Sequence, residues 1–214
     1  MEIRALRGRD ELRAVEALQK EVWACDDLEV LPAMHMIAAL EVGSILLGAF
    51  DGAELVAFAY GFPGFEGEHR VIHSDMLAVR ATHRDRGVGR ALKLAQREAA
   101  LARGVDRITW TFDPLQTRNA FLNFEKLGIV ADRYLPDFYG ATSSPLHAAG
   151  TDRLWVTWHL RQRPSFEAPS GRVAVTTHAE MRPAFERAFA SGLIAVGFDR
   201  QRLEYELAAP ASRP

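Results

Sequence analysis

The run Arg84-Asp85-Arg86-Gly87-Val88-Gly89-Arg90 has residue types that suit it to holding a charged ligand. Consecutive turn amides can converge on one point, and a helix that follows the turn adds the positive end of its dipole. Glycines let a phosphate approach the backbone closely, and Arg84, Arg86 and Arg90 bring charge. The run therefore reads as an anion-binding turn. A P-loop would need Gly-x4-Gly-Lys-[Ser/Thr], which is absent. A Rossmann fingerprint would need a third small residue where Leu92 stands. Two nearby residues suit proton transfer. His73, Asp75 and Leu77 alternate along an apolar run, and period-2 alternation sets all three on one face of a strand. Either His73 or Asp75, directly or through water, can take a proton from an ammonium group.

Regular elements must carry these residues. Ile3–Leu6 reads as a strand. Asp10 can cap a helix with the stripe Leu12, Val15, Leu18 and Val22, and Pro32 can open a second helix over 32–41 with Met36, Ile37 and Leu40 inward. Ser44–Phe50 and Glu54–Phe62 form a hairpin about Asp51-Gly52. Gly61, Pro63, Gly64 and Gly67 read as a loop before the strand Val71–Val79. The glycine turn then leads into a helix ending near Arg103, with Val88, Ala91, Leu92, Ala95, Ala99 and Ala102 along one side. A strand at Arg107–Phe112, a helix at Thr117–Leu127 and strands at Ile129–Leu135 and Arg153–Leu160 follow. Residues 161–171, rich in Arg, Pro and Ser, read as a linker. Beyond it a short strand, a helix at Glu180–Ser191 and two further strands make a small αβ extension. Hairpins first and crossovers later predict an α/β (α+β) fold: a mixed, mostly antiparallel twisted sheet with helices on both faces. The expected organisation is a domain over 1–160, a linker over 161–171 and the extension over 172–214.

Met76-Leu77-Ala78-Val79 followed by Arg84-x-x-Gly87-x-Gly89 resembles motif A of the GNAT acyltransferases, and Ala120 through Phe124-Glu125-Lys126-Leu127-Gly128 resembles motif B. The resemblance covers roughly residues 1–160. Asp113-Pro114-Leu115, Asn119-Ala120, Asn123, Tyr139-Gly140 and Thr151-Asp152-Arg153 resemble a narrower branch of predicted members, mostly unassigned. The resemblance implies a GNAT fold and an acetyl-CoA or other acyl-CoA co-substrate. Leu77, Ala78 and Val79 would offer backbone groups to its pantetheine arm. Arg84, Asp85, Arg86, Gly87, Val88, Gly89 and Arg90 would hold the pyrophosphate. Asn119 would reach the pantetheine or phosphate end. A backbone N–H near Leu77 would steady the developing oxyanion. Motif B often carries a Tyr that protonates the leaving thiolate, and this chain has Phe124 there. The thiolate then leaves unaided, or Tyr134 or Tyr139 substitutes. Arg133 and Arg153 lie in the half that frames the acceptor cleft in relatives, and an arginine fork suits a carboxylate. The expected reaction is acyl transfer to a primary amine of a small molecule such as an amino acid. N-succinyl transfer to amino acids and a catalytically silent CoA-binding module are the alternatives.

Bulk properties narrow the field. The chain has 214 residues, 48% of them hydrophobic and 25% charged, with a net charge of −2. Such a balance excludes the overall basic footprint of a nucleic-acid binder. No apolar run approaches the ~18 residues of a membrane span, and the charged N-terminus lacks the apolar stretch of a signal peptide. The single cysteine, Cys25, cannot form an internal disulfide, which points to the cytoplasm. Seven histidines without ligand spacing give no expectation of a metal. The apolar residues of the extension need a covering surface, on the same chain or in a homodimer.

Overall fold

Asp51-Gly52 forms the tight turn that its composition predicts, with Gly52 at φ 59°, and joins strands β2 (Ile45–Asp51) and β3 (Glu54–Glu66). These belong to a computed structural model that describes residues 1–211. The chain packs as two units. The first comprises Met1–Ile108 with Thr142–Ala148, and the second the remaining described residues. Residues 212–214, the end of the expected 172–214 extension, lie outside the described residues.

In the first unit an antiparallel sheet runs β1 (Glu2–Ala5), β2, β3, β4 (His69–Val79). Helices α1 (Arg9–Trp23) and α2 (Ala33–Glu41) cover one face: Leu12, Val15, Leu18 and Met36 pack with Leu46, Phe50, Phe58, Tyr60 and Ala78. Helix α3 (Val88–Ala102) covers the other, with Gly89 against Leu77 and Val79. Covered on both sides, β2 is buried at six consecutive positions, which no alternating strand could be. The segment 142–148 is clasped to this unit. Ser144 donates to the Trp23 carbonyl at 2.6 Å, and Ser143 accepts from the Asp26 amide at 2.8 Å.

Three details differ from the sequence expectations. Gly8, at φ 83°, caps α1 instead of Asp10, which sits in the first turn where its charge favours the helix dipole. Ile37 is exposed, because Ala33, Met36 and Ala39 take the buried face of α2. Pro63 and Gly64 are strand rather than loop: β3 continues to Glu66 and pairs Pro63 with Ile72. Strand β2 accompanies β3 only as far as Gly61. Beyond that point one edge of β3 has no β2 partner, and a proline without an N–H is tolerated there.

The second unit holds most of β5 (Arg107–Phe112) and orders its strands β5, β7 (Arg153–His159), β6 (Val130–Leu135), β9 (Ile194–Asp199), β10 (Glu204–Ala208), β8 (Gly171–Ala174). Helix α4 (Thr117–Phe121) widens into a π-helical stretch, Leu122–Leu127, closed by Gly128 at φ 69°. Helix α5 (His178–Ala190) packs on β6 and β8. Phe124, Phe185 and Phe198 meet the Tyr205 ring at 5.0–5.7 Å between centroids, and the Tyr205 hydroxyl donates to the Pro114 carbonyl.

Candidate active site

The glycine turn Arg84–Arg90 lies wholly in the first unit, between β4 and α3. Asp85 and Gly87 both have positive φ, 63° and 79°. No side chain caps the start of α3, so its first amides keep their donor capacity. A Cβ added at Gly87 would meet nothing within 4 Å, and Arg84, Asp85, Arg86 and Arg90 are all exposed. Arg84 Nε donates to the Val79 carbonyl at 3.1 Å, which ties the turn to the end of β4. Val88 alone of the run is buried, and it anchors α3 to the sheet. Open backbone donors, clustered cations and a widened approach are what a pyrophosphate requires.

His73, Asp75 and Leu77 do not share a face. The β3–β4 register pairs Tyr60 with Met76 but Phe62 with His73, so β4 holds one extra residue opposite Gly61. Such a bulge reverses the alternation. His73 lies with Phe62 and Tyr60, its ring 5.4 Å from that of Phe62. Leu77 lies on the opposite face with Ala59. Burial, reinforced by the charge of Lys93, pulls His73 down to about 4, so it is neutral at pH 7. Asp75 touches solvent on one side, yet the protein packed around it raises its pKa above the ordinary carboxylate value.

Lys93 and Gln96, one turn apart on α3, are both buried, and the sequence reading missed them. They fall on the stripe Gly89, Leu92, Lys93, Gln96, Ala100, whose spacing of three and four residues is that of a helix's inner face. Lys93 Nζ donates to Ser74 Oγ at 2.7 Å, and burial lowers its pKa to about 7. The Gln96 amide lies against Gly61, where a Cβ would stand 2.9 Å from its nitrogen.

The other expected site residues belong to the second unit. Asn119 is exposed on α4. Phe124 is buried in the aromatic core. Tyr134 donates to Asp152 at 2.8 Å, and burial followed by that bond raises its pKa. Tyr139 is exposed, with its hydroxyl 3.0 Å from that of Thr111. Arg133 stacks on Trp155 at 4.5 Å and pairs with the neighbouring Asp132. Asp152 and Arg153, adjacent in sequence, do not pair with each other. Both are buried, and Asp152 is held by Arg182 at 2.9 Å and by the Asp137 amide at 2.9 Å. Arg153 instead donates to the Asp152 carbonyl and lies over the Tyr139 ring.

The Acetyltransferase (GNAT) family profile matches residues 11–129. The chain belongs to the GNAT acetyltransferase family. As a member it is an acyl-CoA-dependent N-acyltransferase, and the matched span includes the glycine turn Arg84–Arg90 and the motif B helix. The fold agrees. The aminoglycoside 6'-acetyltransferase type Ii is 21% identical with a TM-score of 0.58, over 77% of this chain and all of that one. The ribosomal-protein-S18-alanine N-acetyltransferase from Escherichia coli is 15% identical with a TM-score of 0.58, over 75% of this chain and 94% of that one. An aminoglycoside 6'-N-acetyltransferase complexed with coenzyme A is 18% identical with a TM-score of 0.56, over 77% of this chain and 100% of that one. No curated protein matches the sequence. Among the described residues no group of three or more His, Cys, Asp or Glu could hold a metal ion, and no helix is long and apolar enough to cross a membrane.

Proposed function

We propose that this GNAT member transfers an acetyl or short acyl group from acyl-CoA to the primary amine of a small molecule such as an amino acid. The observation that carries the donor half is the turn Arg84–Arg90, with two positive-φ residues and an uncapped helix start. Its amides and arginines hold the pyrophosphate. Leu77, Ala78 and Val79 lend backbone groups to the pantetheine, and Asn119 contributes a side-chain amide. The acceptor nitrogen attacks the thioester carbon, a C–N bond forms, and the C–S bond breaks as the thiolate leaves.

Asp75 is the better base. A His73 near 4 is too weakly basic to draw a proton from an ammonium at neutral pH. Asp75 keeps access to solvent, through which the proton can pass, and burial raises its carboxyl above the ordinary value. Tyr134 is committed to Asp152 and the Tyr139 hydroxyl lies 3.0 Å from that of Thr111, so the thiolate leaves without a phenol to return its proton. The free Cys25 suits the reducing cytoplasm.

The reading is tested by thiol release across acyl-CoAs and amines, with two variants. Gly87→Glu places a carboxylate in the phosphate cradle and removes detectable CoA binding in calorimetry, with an unchanged far-UV spectrum; wild-type affinity in the folded variant refutes the donor site. Asp75→Asn lowers kcat by roughly 10²–10⁴-fold at unchanged CoA affinity, as loss of a general base does. His73→Ala has the smaller effect, and the reverse order moves the base to His73.

A further inference from the structure

Arg153 is 4% exposed, yet its one hydrogen bond is from Nη1 to the backbone carbonyl of Asp152, at 2.8 Å. A guanidinium carries five N–H donors in a planar fork and does not discharge under physiological conditions. A buried charge of this kind is normally matched by a carboxylate. Among the described residues, none lies within ion-pair distance.

The two acids that act on Arg153 from farther off are already engaged. Asp113 accepts from His178 Nε2 at 2.8 Å and from the Leu115 amide at 2.9 Å. Asp152 accepts from Tyr134, the Asp137 amide and both ends of the Arg182 fork. Asp152 is used on both carboxylate oxygens, and Asp113 is held in place through its Oδ1. One face of the guanidinium is covered by the Tyr139 ring, 5.1 Å from its centroid, which holds the plane of the fork. None of its nitrogens is both buried and unpartnered, so the spare N–H groups look out through a narrow opening.

We propose that Arg153, oriented by Tyr139, is the receptor for a carboxylate on one of the two substrates. The inference rests on the acyltransfer reading and adds the class of molecule that the second unit selects. Two sources supply this chemistry: the α-carboxylate of an amino-acid acceptor, and the terminal carboxylate of a dicarboxylic acyl group such as succinyl. Arg133 is not the receptor, since it is exposed, stacked on Trp155 and paired with Asp132.

The experiment uses the full chain and matched ligands that differ only at the carboxylate. In the acceptor arm alanine is compared with alaninamide, using acetyl-CoA as donor. In the donor arm succinyl-CoA is compared with butyryl-CoA. The expected result is a preference for the carboxylate in one arm of roughly tenfold or more in kcat/KM, as for a site built around a charged hydrogen bond. The arm that shows it names the source. Arg153→Lys, which keeps the charge and loses the fork, raises KM for the carboxylate ligand and leaves its neutral partner unchanged. Should Arg153→Lys not fold, Tyr139→Leu replaces an exposed ring, and it must lower the same preference. Calorimetric binding of the same four ligands needs no turnover. Carboxylate-selective binding without acyl transfer keeps this proposal and sinks the acyltransfer reading. Acyl transfer with no carboxylate preference in either arm, or a preference that both variants leave intact, overturns the proposal.

Discussion

Lys93 and Arg153 are buried cations, one in each unit, and they meet the cost of burial in opposite ways. Lys93 can give up its charge: burial brings its pKa to about 7, and its nitrogen rests on a hydroxyl, a partner suited to a neutral amine. Burial also lowers the pKa of Arg153, but from a value so high that it stays charged, so it needs an anion. The difference separates two kinds of buried polar residue. One is adapted to the resting protein by losing its charge, while the other keeps its charge and rests on a single backbone carbonyl. Asp152 is a third case, a buried charge already answered by Arg182, and it marks what full satisfaction looks like in the same unit.

The sharpest way to break this comparison is to deny Lys93 its escape. Lys93→Arg installs a cation that cannot discharge, and the expected loss is of the order of 5 kcal/mol, enough to unfold the chain in mild urea. Lys93→Met, which removes the charge and keeps the length, stays folded. Equal stability for the two variants, measured by urea unfolding, would remove the distinction. A smaller effect follows at Asp152. Asp152→Asn strips Arg182 of its partner and lowers Tm by roughly 5–10 °C. Burial pushes the Asp152 carboxyl up, but hydrogen bonds from the Asp137 amide, Tyr134 and Arg182 outweigh it and leave its pKa depressed. Its contribution is therefore full above the unfolded carboxylate value of about 4 and is lost as pH falls through the lower folded value. The variant should lack that acid-side loss. A third effect is the pH slope at Lys93. Between about pH 7 and the unfolded lysine value near 10, the unfolded chain binds the extra proton. Wild-type stability thus rises with pH, relative to Lys93→Met, by roughly 1.4 kcal/mol per unit. A flat difference curve would place Lys93 in contact with water.

Local features were legible before the structure. The Asp51-Gly52 hairpin, the glycine turn into α3 and the inner stripe of α1 all depend on residues within one or two turns of each other. Pairings across the chain were not. Asp152 meets Arg182 thirty residues away, and His178 meets Asp113 sixty-five residues away; neither spacing leaves a periodic trace. Nor did the sequence mark Asp152 and Arg153 as buried, since charged neighbours are the ordinary composition of a surface. Lys93 and Gln96 carried the helical spacing of core positions, but their polarity hid them. The shared face of His73 and Leu77 failed for a different reason, since period-2 counting has no means of seeing an inserted residue.

That inserted residue has a longer reach than its own position. It works as a change of parity in β4. Upstream of it the even-numbered residue Ile72 is turned to the same side as Gly61 and α3; downstream that side belongs to the odd-numbered Leu77 and Val79, and Ala78 passes to the α1 side. A one-residue deletion at Ser74 or Asp75 would remove the bulge and restore one unbroken alternation, with Met76 still opposite Tyr60 and every later residue on the face it now occupies. The strand thus reads as two short sentences written in opposite phase. A homologue that lacks the extra residue would carry one period-2 pattern through the whole strand and keep the same two helices on the same two faces.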